Sequence, residues 1–176
     1  LVVAASYSGN TEETLDFVLA AHESGLPVAT ITTGGRLAQM SNQHSWPMVQ
    51  VPGGLQPRAA IGYLLGASVK LLEGSHSIDD QRLALVDAAN FVDRALEEGS
   101  QPWEHAKEIA EALSGRIPII YAGGRLSSAV AQRWKTQINE NAKRPAWYGS
   151  LPEIDHNEIV GWKNMVDLTR ERFGVV

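Results

Sequence analysis

The sequence predicts an α/β fold in which parallel strands alternate with helices, and three observations carry that prediction. Short apolar runs such as Leu1 to Ala5, Val28 to Thr32 and Ile117 to Tyr121 have the length and composition of buried strands. Turns containing Gly or Ser follow them. Helical patterns come next, as where Leu15, Val18, Leu19 and His22 fall on one face. Repetition of strand, turn and helix is the signature of a parallel sheet, because parallel neighbours need a crossover connection.

Taken in order, strands are expected at Leu1 to Ala5, Val28 to Thr32, Met48 to Val51, Ile117 to Tyr121 and Pro145 to Tyr148. Helices are expected over Glu12 to Glu23, after Gly35, over Pro57 to Leu72, over Ile78 to Glu98, over Trp103 to Leu113 and over Ser127 to Ala142. The stretch Glu97-Glu98-Gly99-Ser100-Gln101-Pro102 is the best linker candidate. It suggests a first domain over 1–98 and a second over 103–176. Gly-Gly-Arg-Leu occurs at 34–37 and again at 123–126, both read as strand-to-helix turns where glycine permits a tight bend rather than as a repeat. Leu1 opens inside an apolar run, and Phe173-Gly174-Val175-Val176 resembles the start of another strand, so both ends are read as truncations.

Composition narrows the function classes. With 176 residues, 44% hydrophobic and 20% charged, the chain has the make-up of a globular protein with a substantial core. No apolar run approaches the ~20 residues of a membrane span, and no signal-peptide pattern is present, so a cytoplasmic protein without a membrane partner is expected. The absence of cysteine excludes disulfides and thiolate metal sites. A formal charge of -5 argues against a nucleic-acid partner and requires that any anionic ligand be captured by local features.

One such feature follows the first strand. In Ser6-Tyr7-Ser8-Gly9-Asn10-Thr11-Glu12-Glu13-Thr14, hydroxyls at 6, 8 and 11 surround a glycine at a helix N-terminus. Unpaired N–H groups and the positive dipole end there favour a phosphate. The same residues also suit a plain N-cap and turn. Their place at the carboxyl end of a buried strand, where open α/β sheets bind ligands, favours the anion.

This motif, with Ile31-Thr32-Thr33-Gly34-Gly35, resembles the phosphate-binding unit of SIS (sugar isomerase) domains. Three further segments sharpen the resemblance. Val51-Pro52-Gly53-Gly54-Leu55-Gln56-Pro57-Arg58 places Arg58 at a helix start, where the guanidinium is poorly matched to the dipole and suits an anionic partner as well as it suits a plain surface position. Lys135-Thr136-Gln137-Ile138-Asn139-Glu140-Asn141-Ala142-Lys143 puts Glu140 near a helix end, either as a base or as a solvated side chain. Pro152-Glu153-Ile154-Asp155-His156-Asn157-Glu158 gathers ionisable groups around one histidine, on a segment too short to converge on a metal ion.

Together these segments resemble the bifunctional phosphoglucose/phosphomannose isomerases of the SIS superfamily over most of the chain. The resemblance implies two SIS-type subdomains with parallel sheets flanked by helices, flavodoxin-like and both incomplete here. It implies interconversion of glucose 6-phosphate or mannose 6-phosphate with fructose 6-phosphate through an enediolate. Ser6, Ser8 and Thr11 would hold the phosphate, Arg58 would stabilise the enediolate, Glu140 would shuttle the proton and His156 would open the sugar ring. The histidine would come from the second subunit of a homodimer with shared sites. No cofactor or metal is needed for that chemistry. A further phosphate-contacting serine and a lysine of the family would lie outside this chain, so its own residues would not complete a site. Alternatives are a non-catalytic sugar-phosphate-binding SIS module, or another SIS-type isomerase such as an amidotransferase isomerase domain.

Overall fold

The computed structural model describes residues 1–176, which divide into two compact units, Leu1–Phe91 and Val92–Val176. In the first unit, strands β1 (Val2–Ala5), β2 (Val28–Thr32) and β3 (Met48–Gln50) form a parallel sheet in the order β1-β2-β3. Register is set by pairs such as Val2 with Val28 and Ile31 with Val49. All five residues of β2 are buried, as expected of a central strand covered on both faces.

Helices α1 (Glu12–Glu23) and α2 (Gly35–His44) cover one face. There Leu15, Val18 and Ala21 meet Ala4, Val28, Leu37 and Trp46 in one core cluster. The opposite face carries Tyr7, Ile31, Val51, Ala60 and Ala67, closed by Leu64 and Leu71 of α3 (Ile61–Gly74). Thr30 and Ser41 are two of the four buried polar residues, with Ser6 and Thr32. The Thr30 and Ser41 hydroxyls bond at 2.6 Å, and Ser41 donates onward to the Leu37 carbonyl, which removes the penalty for burying them.

The helix expected from Pro57 is instead a 3-10 turn (Pro57–Ala59) followed by α3. Arg58 therefore precedes the α-helix rather than lying in its first turn. Helix α4 (Arg82–Ala95) starts later than Ile78, because Glu73 accepts from the Gln81 N–H and Asp80 from the Arg82 N–H, holding the chain in a turn up to that point. None of its residues is buried. The linker candidate is a helix start: Ser100 caps α5 (Gln101–Ala112) by accepting from the Trp103 N–H, and Pro102 occupies the first helical turn, where no amide donor is needed.

In the second unit the sheet order is β5-β4-β6, all parallel, from β4 (Ile117–Gly123), β5 (Trp147–Leu151) and β6 (Phe173–Val175). Strand β5 begins after Pro145, which has no amide hydrogen for the ladder. Helix α6 (Arg125–Asn141) lays Ala131, Trp134 and Ile138 on Ile120 and Ala122. Short helices α7 (Glu153–His156) and α8 (Glu158–Gly161) follow β5, and α9 (Val166–Arg172) leads into β6. No helix is long and apolar enough to cross a membrane.

Candidate active site

Three connections leave the carboxyl ends of β1, β2 and β3, and they are locked together. Gly9 has φ +69° and Gly35 has φ +70°. A Cβ on Gly9 would sit 1.9 Å from the Gly34 carbonyl oxygen, and one on Gly35 would sit 2.5 Å from that of Ser8. Each glycine is required both by its left-handed backbone and by the approach of the other loop. The Asn10 side chain accepts from the Arg36 N–H at 3.1 Å, and the Leu37 N–H donates to the Gly9 carbonyl at 2.9 Å. Thr33 donates its N–H and its hydroxyl to the Tyr7 carbonyl. The Tyr7 hydroxyl donates to the Pro52 carbonyl at 2.8 Å and accepts from the Leu55 N–H at 3.1 Å, tying the loop after β3 to the loop after β1.

Within this clamp the three hydroxyls expected to act together are not equivalent. Ser6 is buried; its Oγ accepts from the Gly9 N–H at 3.2 Å and lies 2.8 Å from the Thr11 hydroxyl. Ser8 and Thr11 are exposed. Thr11 is the N-cap residue of α1 in position, yet its side chain makes no capping bond, so its hydroxyl is not committed to the helix end. Glu12 and Glu13 occupy the first turn, where they complement the dipole. Tyr7 and Thr33 are site-building residues that sequence reasoning passed over. The one local signal was Gly35, whose positive φ and lack of room for a Cβ beside Ser8 mark the meeting of the two loops.

Arg58 is half-buried on the connection leaving the carboxyl end of β3, the same edge as Ser6, Ser8 and Thr11. The residues expected from the second unit are not brought together. Glu140 is exposed in the last turn of α6, which runs back against β4 and β5 to the amino edge of that sheet. Asn139 donates to the Arg144 carbonyl, and Arg144 reaches the Arg116 carbonyl just before β4 begins. His156 is exposed at the end of α7, after the carboxyl end of β5. The two lie at opposite edges, separated along the strands by roughly 16 Å, the length of a five-residue strand.

Comparison with known proteins agrees with this architecture. Residues 103–176 match the family described as bacterial phospho-glucose isomerase C-terminal SIS domain. The chain is 39% identical over 168 residues to a bifunctional phosphoglucose/phosphomannose isomerase of Caldicellulosiruptor bescii, covering 92% of this chain and 49% of the relative. It is 40% identical over 164 residues to the protein of that name in Aquifex aeolicus, covering 93% and 48%. Over more than nine-tenths of its length the chain is similar to bifunctional phosphoglucose/phosphomannose isomerases, and its residues 103–176 match the bacterial phospho-glucose isomerase C-terminal SIS domain.

The chain spans about half the length of the curated relatives it matches. Another relative, 38% identical over 159 residues and covering 90% of this chain and 49% of its own, is a D-glucosamine-6-phosphate 4-epimerase of Sulfolobus acidocaldarius. Among solved structures, the C-terminal domain of glucosamine-fructose-6-phosphate aminotransferase from Francisella tularensis superposes with a TM-score of 0.69 at 17% identity, over 98% of this chain and 57% of that one. Tagatose-6-phosphate ketose/aldose isomerase from Escherichia coli gives 0.60 at 17%, over 90% and 44%. At that identity these two speak to the SIS fold alone.

Proposed function

We propose that this chain carries the phosphate-binding and proton-transfer parts of an aldose-ketose isomerase acting on glucose 6-phosphate or mannose 6-phosphate and fructose 6-phosphate. The observation that carries the reading is the Ser6 to Thr11 loop, which offers exposed hydroxyls at the N-terminus of α1 on a backbone held from two sides. Ser8 and Thr11 donate to phosphate oxygens, and Ser6 orients the Thr11 hydroxyl from beneath. Arg58 stabilises the enediolate, Glu140 takes the C2 proton and returns it to C1, and His156 serves ring opening.

The separation of Glu140 and His156 supports a homodimer in which one copy supplies the base and another the histidine. Replacing either residue alone should lower activity severely. Mixing Glu140→Gln with His156→Ala subunits should restore part of it, because one site of the heterodimer then holds both native residues. Verified subunit exchange without recovered activity rejects the shared site.

The reaction is tested by incubating the full-length protein with fructose 6-phosphate and following both aldose phosphates. Formation of either supports the isomerase. Inversion at C4 of an amino sugar phosphate, without aldose-ketose conversion, favours the epimerase chemistry of the Sulfolobus relative. The phosphate role has its own check. Ser8→Ala combined with Thr11→Ala should weaken sugar 6-phosphate binding by roughly 100-fold or more, the scale of two charge-assisted hydrogen bonds. The melting temperature should barely move, since both residues are exposed. Unchanged affinity by calorimetry removes the assignment.

A further inference from the structure

His156 sits on a very short helix after β5, and an exposed side chain there has little packing of its own to hold it. Its surroundings supply the restraint. Ile154, two residues earlier, is buried against Gly149 of β5. A Cβ on Gly149 would lie 2.6 Å from Ile154 Cγ2 and 3.2 Å from the Tyr121 ring, so the Tyr121 ring and Ile154 close on the glycine together. The Tyr121 hydroxyl accepts from the Trp162 indole N–H at 2.8 Å and donates to Glu158 Oε2 at 3.0 Å. Asn157 joins the two short helices, accepting from the Glu158 N–H at 2.6 Å and donating to Glu153 at 2.7 Å. His156 thus lies between Ile154, seated against Gly149 beside the Tyr121 ring, and Glu158, bonded to the Tyr121 hydroxyl.

We propose that Tyr121 is a positioning residue for His156, its ring helping to seat α7 and its hydroxyl fixing α8, so that the imidazole is held where a sugar ring must open. The proposal rests on the reading that His156 serves ring opening. In that step a proton passes from the C1 hydroxyl to the ring oxygen as the bond between C1 and that oxygen breaks and C1 becomes a carbonyl. No electrons leave the sugar and no co-reactant is consumed. Burial pushes the Tyr121 phenol above its ordinary range, the Trp162 bond acts against this, and the Glu158 bond adds to it. The hydroxyl therefore keeps its proton at neutral pH and remains a donor to Glu158. Its contribution declines only in strongly alkaline solution, where the unfolded phenol ionises before the folded one.

Ring opening can be read separately from isomerisation, as interconversion of the α and β anomers of glucose 6-phosphate by magnetisation-transfer NMR. In the full-length protein, Tyr121→Phe and Glu158→Ala should each slow enzyme-catalysed anomer interconversion by about 10- to 100-fold, the scale of a small misplacement of a catalytic group. Glu158→Gln keeps an acceptor oxygen and should recover most of the rate. Affinity for a five-carbon aldonate phosphate, which is already open and needs no ring opening, should stay within about threefold of wild type, well short of the effect of a lost catalytic position. Glu158 is exposed, so its variants keep the test available if Tyr121→Phe folds poorly. Wild-type anomer interconversion in Tyr121→Phe and Glu158→Ala overturns the proposal, as does an equal loss of aldonate binding or a failure of Glu158→Gln to rescue. His156→Ala with a wild-type rate is a different result. It overturns the ring-opening reading itself and the positioning role with it.

Discussion

Glu140→Gln is expected to cut turnover in either direction by roughly 10²- to 10⁴-fold, the usual contribution of a positioned acid-base group. The change keeps size and a carbonyl acceptor but removes the base. Glu140 is exposed at the end of α6, so stability should be nearly unchanged. Sugar-phosphate affinity should also hold, because phosphate capture is assigned to hydroxyls in the other unit. Wild-type turnover in deuterated water should incorporate solvent deuterium into product, since a proton carried by a carboxylate can exchange on the way from C2 to C1. Near-normal turnover in the variant would remove Glu140 from the mechanism and require another group as the base.

The second large effect is structural. Gly9→Ala forces a side chain into a left-handed backbone, at about 1–2 kcal/mol. It also drives a methyl group to within 1.9 Å of the Gly34 carbonyl oxygen, which cannot swing aside as a side-chain end can. Overpacking of this kind adds about 1–3 kcal/mol, so a total on the order of 2–5 kcal/mol is expected. The loops after β1 and β2 must part to relieve it, so sugar-phosphate binding should be lost along with stability. Thermal denaturation and calorimetry on one preparation test both. A variant that melts and binds like wild type would show that the two loops do not approach as described.

Most of the elements were legible in the residues. Helix α1 runs over Glu12–Glu23 and β2 over Val28–Thr32, the ranges that periodicity and apolar content predict. The misplaced boundaries have local causes that pattern reading underweights: Pro145 delaying β5, the 3-10 turn at Pro57, and the side-chain bonds of Glu73 and Asp80 delaying α4. For the candidate site, the hydroxyl loop was visible because Ser, Gly and Thr sit within six residues of one another. The Tyr7 bridge to Pro52 and Leu55 was not, since it joins residues more than forty positions apart.

By itself the sequence determined the alternation of strands and helices, the glycine-bearing turns and the identity of the hydroxyl loop. Each depends on interactions within a turn or two of the chain: periodic burial, helix-end hydrogen bonding and the freedom of glycine at positive φ. Tertiary structure decided the rest. It placed β6 beside β4 rather than beside β5, and it inserted the Gly9 loop against Gly34 and Gly35. It also sent Glu140 and His156, sixteen residues apart, to opposite edges of one sheet. The edge a residue occupies follows from how crossover helices return along the strands and which faces they bury, a long-range balance of packing that no local spacing encodes.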